Sequence, residues 1–586
     1  MPIGDKFAAS LSAYSTEFDG EVTNILTGKE QNDEQLGGRL SLLYQPTDSL
    51  EVLFRYSQTV QEVRGELRER KEIGLAIPDA FTLPADPFDN KIETLLPNGR
   101  DTEINSSTLH INWAINDQWA LSSITGYNFF NRELNKGAPL PFDITGFGGF
   151  GITIPAGTET GGDGAFTPVP FVIVHSEGTP KDEEIKTQEF RLTFDNDNWS
   201  SLYGAFYSES DESANTSLFI AAVAGGLPLQ LVSAREFIDW SVYTHQIWHA
   251  SDKWDVVGGI RYGENERSIV GGDAVGAGQF GDGSSPVGEK QNETWDNVSG
   301  SFKVVYSASD DLSYYAGVST GYKPGGFNDT PDDPQFEEET TISYEAGLKG
   351  VFLDETLRLN ASVYYQTYDD YQVQSFDPDR GSTTNIVSNA ASAEVAGVEM
   401  DFLWLVGEHV TIEGGLAYVD ARYDEYKNAP CNDAQLLALA GSPIGTTSKG
   451  CTLNAGFGPG DEFESQDLSG KRLFQTSPLT GNLVLTYEGM LTEALSWSAR
   501  GSVAYRDDYW GFNTLEPEGR QDAYTLLDAS IGLQSTSESW EVSLYGKNLA
   551  DEDYISGFLP GRDGPLGINV IKGLGTTYGV KAKYKF

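Results

Sequence analysis

The sequence predicts an all-β fold: a transmembrane antiparallel β-barrel of about twenty strands. Three observations point there. Apolar and polar residues alternate with period two along most of the chain, short and long connections alternate without a break, and tryptophans stand directly after short turns.

Alternation comes first. "AASLSAY", "GGRLSLLYQ", "LEVLFRYSQ", "STLHINWAI", "TQEFRLTF", "VVGGIRYGE", "SGSFKVVYS", "YEAGLKGVF", "RLNASVYYQ", "GNLVLTYEG" and "DASIGLQST" alternate or nearly so. Period two places successive side chains on opposite faces of a strand, so each segment has two different faces. Helical periodicity is nearly absent.

Connections are more telling. Short polar turns stand at "PTDS" (46–49), "NDQ" (116–118), "DNDN" (195–198), "SDK" (251–253), "SASDD" (307–311), "LDET" (353–356), "GEH" (407–409), "LTEA" (491–494) and "STSES" (535–539). Long Gly/Pro/Asp-rich segments lie near 19–36, 63–102, 132–182, 209–234, 268–291, 322–336, 369–383, 425–471, 509–520 and 550–572. A sandwich in water has no reason to sort its connections this way. A membrane barrel does, with short turns on the periplasmic side and long loops outside. Only a closed barrel satisfies the backbone of a sheet in lipid.

Trp119, Trp199, Trp254 and Trp540 each follow a short turn. An indole suits the headgroup level, so these four are expected to form a periplasmic aromatic girdle. The last strand completes the pattern. Tyr578, Val580, Ala582, Tyr584 and Phe586 point one way, and Gly579, Lys581, Lys583 and Lys585 the other. A lipid-facing Lys costs ~2–4 kcal/mol at the midplane. The lysines are therefore expected to face a polar lumen and the apolar set to face lipid.

Composition excludes other classes. With 87 acidic and 39 basic residues, the net charge of −48 argues against nucleic acid. The longest mostly apolar stretch, 218–232, is short and broken by Pro228; a spanning helix needs ~20 apolar residues. Residues 1–14 carry no signal-peptide pattern, as if the chain opened inside a structural element. Cys431 and Cys451 share one polar segment without neighbouring His, so no zinc site is expected. A disulfide closing that loop, which would place it outside the cytoplasm, is the better reading, and two free thiols in a reducing compartment are the alternative.

No catalytic set stands out: there is no G-x-S-x-G, HExxH or P-loop. His110, His175, His245, His249 and His409 read as strand or turn residues; His245 and His249 would lie ~13 Å apart on a strand. The acidic stretch "NDTPDDPQFEEE" (328–339) lacks EF-hand spacing and reads as solvated loop charge. No metal or cofactor site is expected. Phe147, Phe150, Tyr509, Trp510 and Phe512 either stack on a ligand or pack a loop cluster, and "GFGGFGITIPAG" (146–157) lacks the strand-to-helix context of a phosphate loop.

Three stretches carry a family resemblance. They are "YYAGVSTGYKPGGFN" with its turn Gly321, Tyr322, Lys323, Pro324, Gly325, Gly326, Phe327 and Asn328; "LYGKNLADEDY" (544–554); and the C-terminal strand ending in Phe586. With "GRLSLLYQPTDSLEVLFRY" they resemble the β-barrel of a TonB-dependent receptor from the Gram-negative outer membrane. The resemblance implies that Tyr578, Val580, Ala582, Tyr584 and Phe586 form the signal read by the outer-membrane insertion machinery. It implies a barrel of about 22 strands, of which some twenty are legible here. Residues 1–586 then form one partial barrel domain, and the signal peptide, TonB box, plug and first hairpin are not seen.

The function implied is TonB-energised uptake of a scarce extracellular solute, a ferric siderophore or similar iron complex. The implied partners are the TonB-ExbB-ExbD complex, acting through the plug part, and outer-membrane lipid and lipopolysaccharide, with the barrel a monomer. Substrate residues are not readable. A passive porin-like channel, a receptor for cobalamin or oligosaccharide, and a surface enzyme or adhesin are the alternatives.

Overall fold

A computed structural model describes residues 4–24, 28–64, 69–71, 91–92, 99–135, 174–177, 181–220, 227–273, 290–328, 335–376, 385–439, 441–455, 462–558 and 568–585. Twenty long strands belong to one large antiparallel sheet. They are β1 (Phe7–Asn24), β2 (Lys29–Thr47), β3 (Leu50–Arg64), β4 (Gly99–Ala114), β5 (Trp119–Asn135), β6 (Lys181–Asp195) and β7 (Trp199–Ile220). Next come β8 (Leu227–Ser251), β9 (Trp254–Asp273), β10 (Gln291–Ser309), β11 (Leu312–Lys323), β12 (Glu339–Phe352), β13 (Leu357–Phe376) and β14 (Asn385–Val406). The last are β15 (Val410–Glu425), β16 (Leu479–Thr492), β17 (Leu495–Arg506), β18 (Tyr524–Ser535), β19 (Trp540–Lys547) and β20 (Thr577–Tyr584). All nine predicted short turns fall between consecutive strands of this series.

Two compact units divide the chain, and β8, β9 and β10 contribute to both. In the first, each strand from β1 to β7 pairs antiparallel with the next. One register line runs Leu50, Trp113, Leu121, Leu192, Tyr203; the adjacent line runs Glu51, Asn112, Ser122, Arg191, Gly204. Directly paired residues share a face and neighbouring lines alternate, so one face is apolar and the other polar. On the polar face Ser122 donates to Asn112 at 2.8 Å.

The second unit repeats the arrangement from β10 to β20. Tyr487, Ala499, Ile531, Leu544 and Val580 form one line, and Glu488, Ser498, Gly532, Ser543 and Lys581 the next. Val580 is 66% exposed, Tyr584 62% and Leu544 55%. So much exposed apolar surface exceeds what a monomer in water shows and matches a lipid-facing wall.

Local chemistry sets the turns. Asn116 Oδ1 accepts the N–H groups of Gln118 and Trp119 at 2.9 Å, and Asn196 Oδ1 does the same for Asn198 and Trp199. These are Asx turns, the reason Asn favours such positions. Four aromatic pairs meet near turn ends at nearly one geometry: Phe7–Tyr44, Trp119–Phe194, Trp254–Tyr306 and Tyr487–Trp497. Their centroids are 4.6–5.0 Å apart, tilted 36–44°.

Two expectations about the long connections need correcting. The segments near 19–36 and 209–234 are largely strand, because β1 runs to Asn24, β2 starts at Lys29, β7 runs to Ile220 and β8 starts at Leu227. Around Asp33, Glu34, Ser210 and Asp211 polar residues stand on both faces, so alternation fades while the hydrogen-bonded ladder continues. The segment 425–471 contains a helix and a small sheet, described next.

Candidate functional site

The long-connection end of the second unit carries a folded layer. Strands β13, β14 and β15 supply Val373, Ala391, Ala393, Ala421 and Tyr423 to a dry core, completed by Tyr426, Ala429, Leu468 and Leu473. Small alanines on the strands leave room for the tyrosines. The rings of Tyr371, Tyr423 and Tyr426 follow one another at 6.4 and 4.9 Å. Burial pushes the Tyr426 hydroxyl well above its ordinary pKa, with Tyr423 adding to the shift, so it stays protonated at any physiological pH.

On this core sits a cap. Residues Ala429–Pro430, Thr447–Ser448, Cys451–Ala455 and Glu462–Gln466 form a four-stranded sheet, and Asp433–Leu439 forms helix α1. Asn432 Oδ1 accepts from the Gln435 N–H at 3.0 Å, and Gln435 Oε1 accepts from the Asn432 N–H at 2.7 Å, a reciprocal N-terminal cap. A disulfide joins Cys431 and Cys451, and both residues are fully buried with Leu439 and Leu453. Gln466 Nε2 donates to the carbonyls of Pro430 at 2.8 Å and Thr514 at 3.0 Å, while Gln435 Nε2 donates to Gln466 Oε1 at 3.0 Å. The buried amides thus tie the cap to the connection after β17.

That connection is anchored again at Asp508. Arg472 lies 2.5 Å and Arg520 3.1 Å from its carboxylate. Burial alone would raise the Asp508 pKa; the hydrogen bonds and charge of the two arginines outweigh it and hold the carboxyl below the usual range. Of the loop aromatics, Tyr509 is buried under the Arg506 guanidinium, 4.0 Å from its ring centre, and donates to the Ile555 carbonyl at 3.1 Å. Phe512 packs on Phe558 at 5.5 Å, and Trp510 lies under Arg520. These rings build a loop cluster. Phe147 and Phe150 lie outside the described residues.

Below the layer, the polar face lines a cavity of about 670 Å³ with Tyr315, Lys349, Asn360, Glu399, Asp401 and Asn482 among its walls. Arg506 and Tyr524 also line it. Asn360 donates to Asp401 at 2.9 Å, and Tyr315 hydrogen-bonds Glu345. The cavity offers charges of both signs and many hydrogen-bonding groups, the chemistry of a polar solute's surroundings. Among the described residues no three His, Cys, Asp or Glu side chains converge to hold a metal ion.

The other sequence-selected residues have definite places. Gly321, Tyr322 and Lys323 end β11, opposite Thr341, Thr340 and Glu339. Pro324, Gly325, Gly326, Phe327 and Asn328 lie in the first unit, where Gly326 bridges Phe336 and the buried Trp295 donates to Glu337 at 3.0 Å. A Cβ on Gly325 would collide with the Phe336 carbonyl and the Trp295 ring, so only glycine fits there. Trp119, Trp199, Trp254 and Trp540 each open a strand. Tyr578, Val580, Ala582 and Tyr584 share one face of β20 opposite Gly546, Leu544, Val542 and Trp540; Phe586 lies outside the described residues. Residues 329–334 of the acidic stretch also lie outside them.

Two features escaped sequence reasoning. One is the cap, although N-x-x-Q at 432–435 was a readable capping signal. The other is Asn548, at φ 47°, whose Nδ2 donates to the carbonyls of Glu552 and Leu574 while its Oδ1 accepts from the Glu552 N–H.

Comparisons with known proteins add the following. A family model described as "TonB dependent receptor-like, beta-barrel" matches residues 72–549. The pesticin receptor of Yersinia pestis is 27% identical over 352 residues, 59% of this chain and 43% of that protein. The metal-pseudopaline receptor CntO of Pseudomonas aeruginosa is 25% identical over 178 residues, 30% of this chain and 23% of that one. The chain thus spans less than half the length of these relatives. Among solved structures, the ferric yersiniabactin uptake receptor FyuA from Yersinia pestis aligns with TM-score 0.73 at 18% identity, covering 100% of this chain and 76% of that one. The ferric-catecholate import receptor Fiu from E. coli K12 aligns with TM-score 0.67 at 14% identity, covering 100% and 78%. At these identities the structural likeness speaks for the fold.

Proposed function

The chain belongs to the TonB-dependent receptor β-barrel family, a family of outer-membrane proteins, and from that premise we propose that it is the wall and loop layer of a receptor that takes up a ferric siderophore or similar metal complex. The observation that carries the reading is the register-wide division of the sheet into an apolar and a polar face. It makes one face a lipid contact and the other the wall of an aqueous path. The printed names of relatives and structural neighbours, which concern ferric yersiniabactin, ferric catecholates and metal–pseudopaline, support a metal complex as cargo. They bear on this chain through family likeness alone.

The remaining parts of the reading follow the family. Energy comes from the TonB-ExbB-ExbD complex acting through a plug segment, because a barrel of about 22 strands needs a gate. The receptor works as a monomer. Residues 1–586 act as a single barrel domain. Trp119, Trp199, Trp254 and Trp540 sit at the periplasmic headgroups, the C-terminal strand through Phe586 is read at insertion, and the acidic loops meet lipopolysaccharide through divalent ions. The Cys431–Cys451 bond fits a loop that lies outside the cytoplasm.

The test is uptake of radioactive iron complexes by cells that lack the receptor and by cells that regain it, each with and without TonB. The proposal expects restored uptake that vanishes without TonB. Restored flux that ignores TonB would mean a passive channel; no restoration with any ferric complex would remove iron complexes as cargo.

A further inference from the structure

The cap raises a question of order. Cys431 and Cys451 are both fully buried, closed in by Leu439 of α1 and Leu453 of the cap sheet. No oxidant reaches sulfurs so enclosed, so their bond must form before the cap closes. The buried cluster around them is tiny, consisting of the two cysteines, Leu439 and Leu453 with Leu436 packed alongside. So small a cluster gives the helix and four short strands little core of their own, and the cross-link adds to their seat on the strand core at Ala429. The link also acts beyond the cap. Cys451 pairs directly with Gln466, and the Gln466 amide holds the Thr514 carbonyl of the next connection.

We infer that this receptor is a client of oxidative folding: a disulfide-bearing oxidant joins Cys431 to Cys451 before the cap closes, and the bond then fixes two neighbouring connections at once. In the reaction two S–H bonds break and one S–S bond forms. Two electrons and two protons pass to the oxidant, whose own disulfide becomes a dithiol. The requirement places the segment's folding in an oxidising compartment, ahead of assembly of the loop layer. The inference rests on the outer-membrane reading, since the cap must lie on the outer face.

The experiment uses the full-length receptor in its own cells. An epitope inserted after Ile444, at the exposed tip of the cap, is probed with antibody on intact cells. External protease is then applied to the wild type and to C431S/C451S, with barrel formation followed by heat-modifiable mobility. We expect both proteins to insert and to stain. Cleavage between 431 and 466 should be about a hundredfold faster in the variant, the factor expected when cross-linking of a loop near that size is lost. Cleavage should also rise between 508 and 521. Dithiothreitol present during synthesis should reproduce the variant, and the same reagent added to finished receptor should leave the bond intact. Equal protection of variant and wild type, or equal reduction before and after folding, overturns the inference. Absence of staining overturns the outer-face reading together with it.

Discussion

The Arg472 guanidinium and the Asp508 carboxylate meet at 2.5 Å on the edge of the loop layer, and Arg520 approaches the same carboxylate at 3.1 Å. Its folded pKa is lowered from the ordinary 3.8. A depressed carboxyl stabilises the fold above its unfolded pKa and loses that contribution as pH falls through its folded pKa. The anchor is therefore intact at neutral pH and released only below about pH 4. Asp508→Asn should loosen residues 507–521 at pH 7, while the wild type matches the variant only in strong acid. Hydrogen exchange across that segment checks this; pH-independent protection in the wild type would contradict it.

Gly325 stands where a side chain would strike Trp295 and the Phe336 carbonyl. Gly325→Ala should cost about 1–3 kcal/mol through overpacking. The Gly326–Phe336 bridge should open and the Trp295 indole should become wet. Tryptophan fluorescence, with Trp295→Phe as the reference, measures the change; an unaltered spectrum would show that the turn tolerates a methyl group.

Ser543 and Leu544 are neighbours on opposite faces, paired with Lys581 and Val580. Arginine at 544 should cost ~2–4 kcal/mol at mid-bilayer, while arginine at 543 should cost little. Denaturant titration in phospholipid vesicles compares the two. Spin labels at Val580 and Tyr584 should report acyl chains, and labels at Lys581 and Lys583 should report water. The reverse result would invert the wall.

Asn548 adopts a left-handed backbone that asparagine tolerates better than most residues. Asn548→Ala leaves the Glu552 N–H and two carbonyls without their partner, a loss of about 1–3 kcal/mol. Asn548→Asp keeps the acceptor for the Glu552 N–H but forfeits both donations. Thermal shifts of the two variants should rank alanine below aspartate below wild type. Equal midpoints would remove Asn548 as the hub of this connection.

The sheet was legible because lipid and lumen write period two into the chain, and because nine short turns are polar and brief. Strand ends were not legible where both faces meet water: Asp33, Gln35, Glu209 and Asp211 carry no alternation, yet the ladder passes through them. The cap was hidden for a related reason. Its stability comes from one disulfide, two buried glutamines and tyrosines borrowed from strand ends, contacts between residues up to 48 positions apart. No local pattern records them. The motif Gly321–Asn328 was visible as a string, but its Gly325 is explained only by the Trp295 ring and the Phe336 carbonyl.

From β1 to β7 and from β10 to β20, every long strand bonds to the one that follows it in the chain. Such nearest-neighbour zippering keeps contact order low despite the size of the sheet. A nascent hairpin already owns its turn chemistry at Asn116 or Asn196, so growth can proceed two ribbons at a time. Each added pair then covers the exposed edge of the one before it, and the edge open to mispairing never exceeds a single strand on that side.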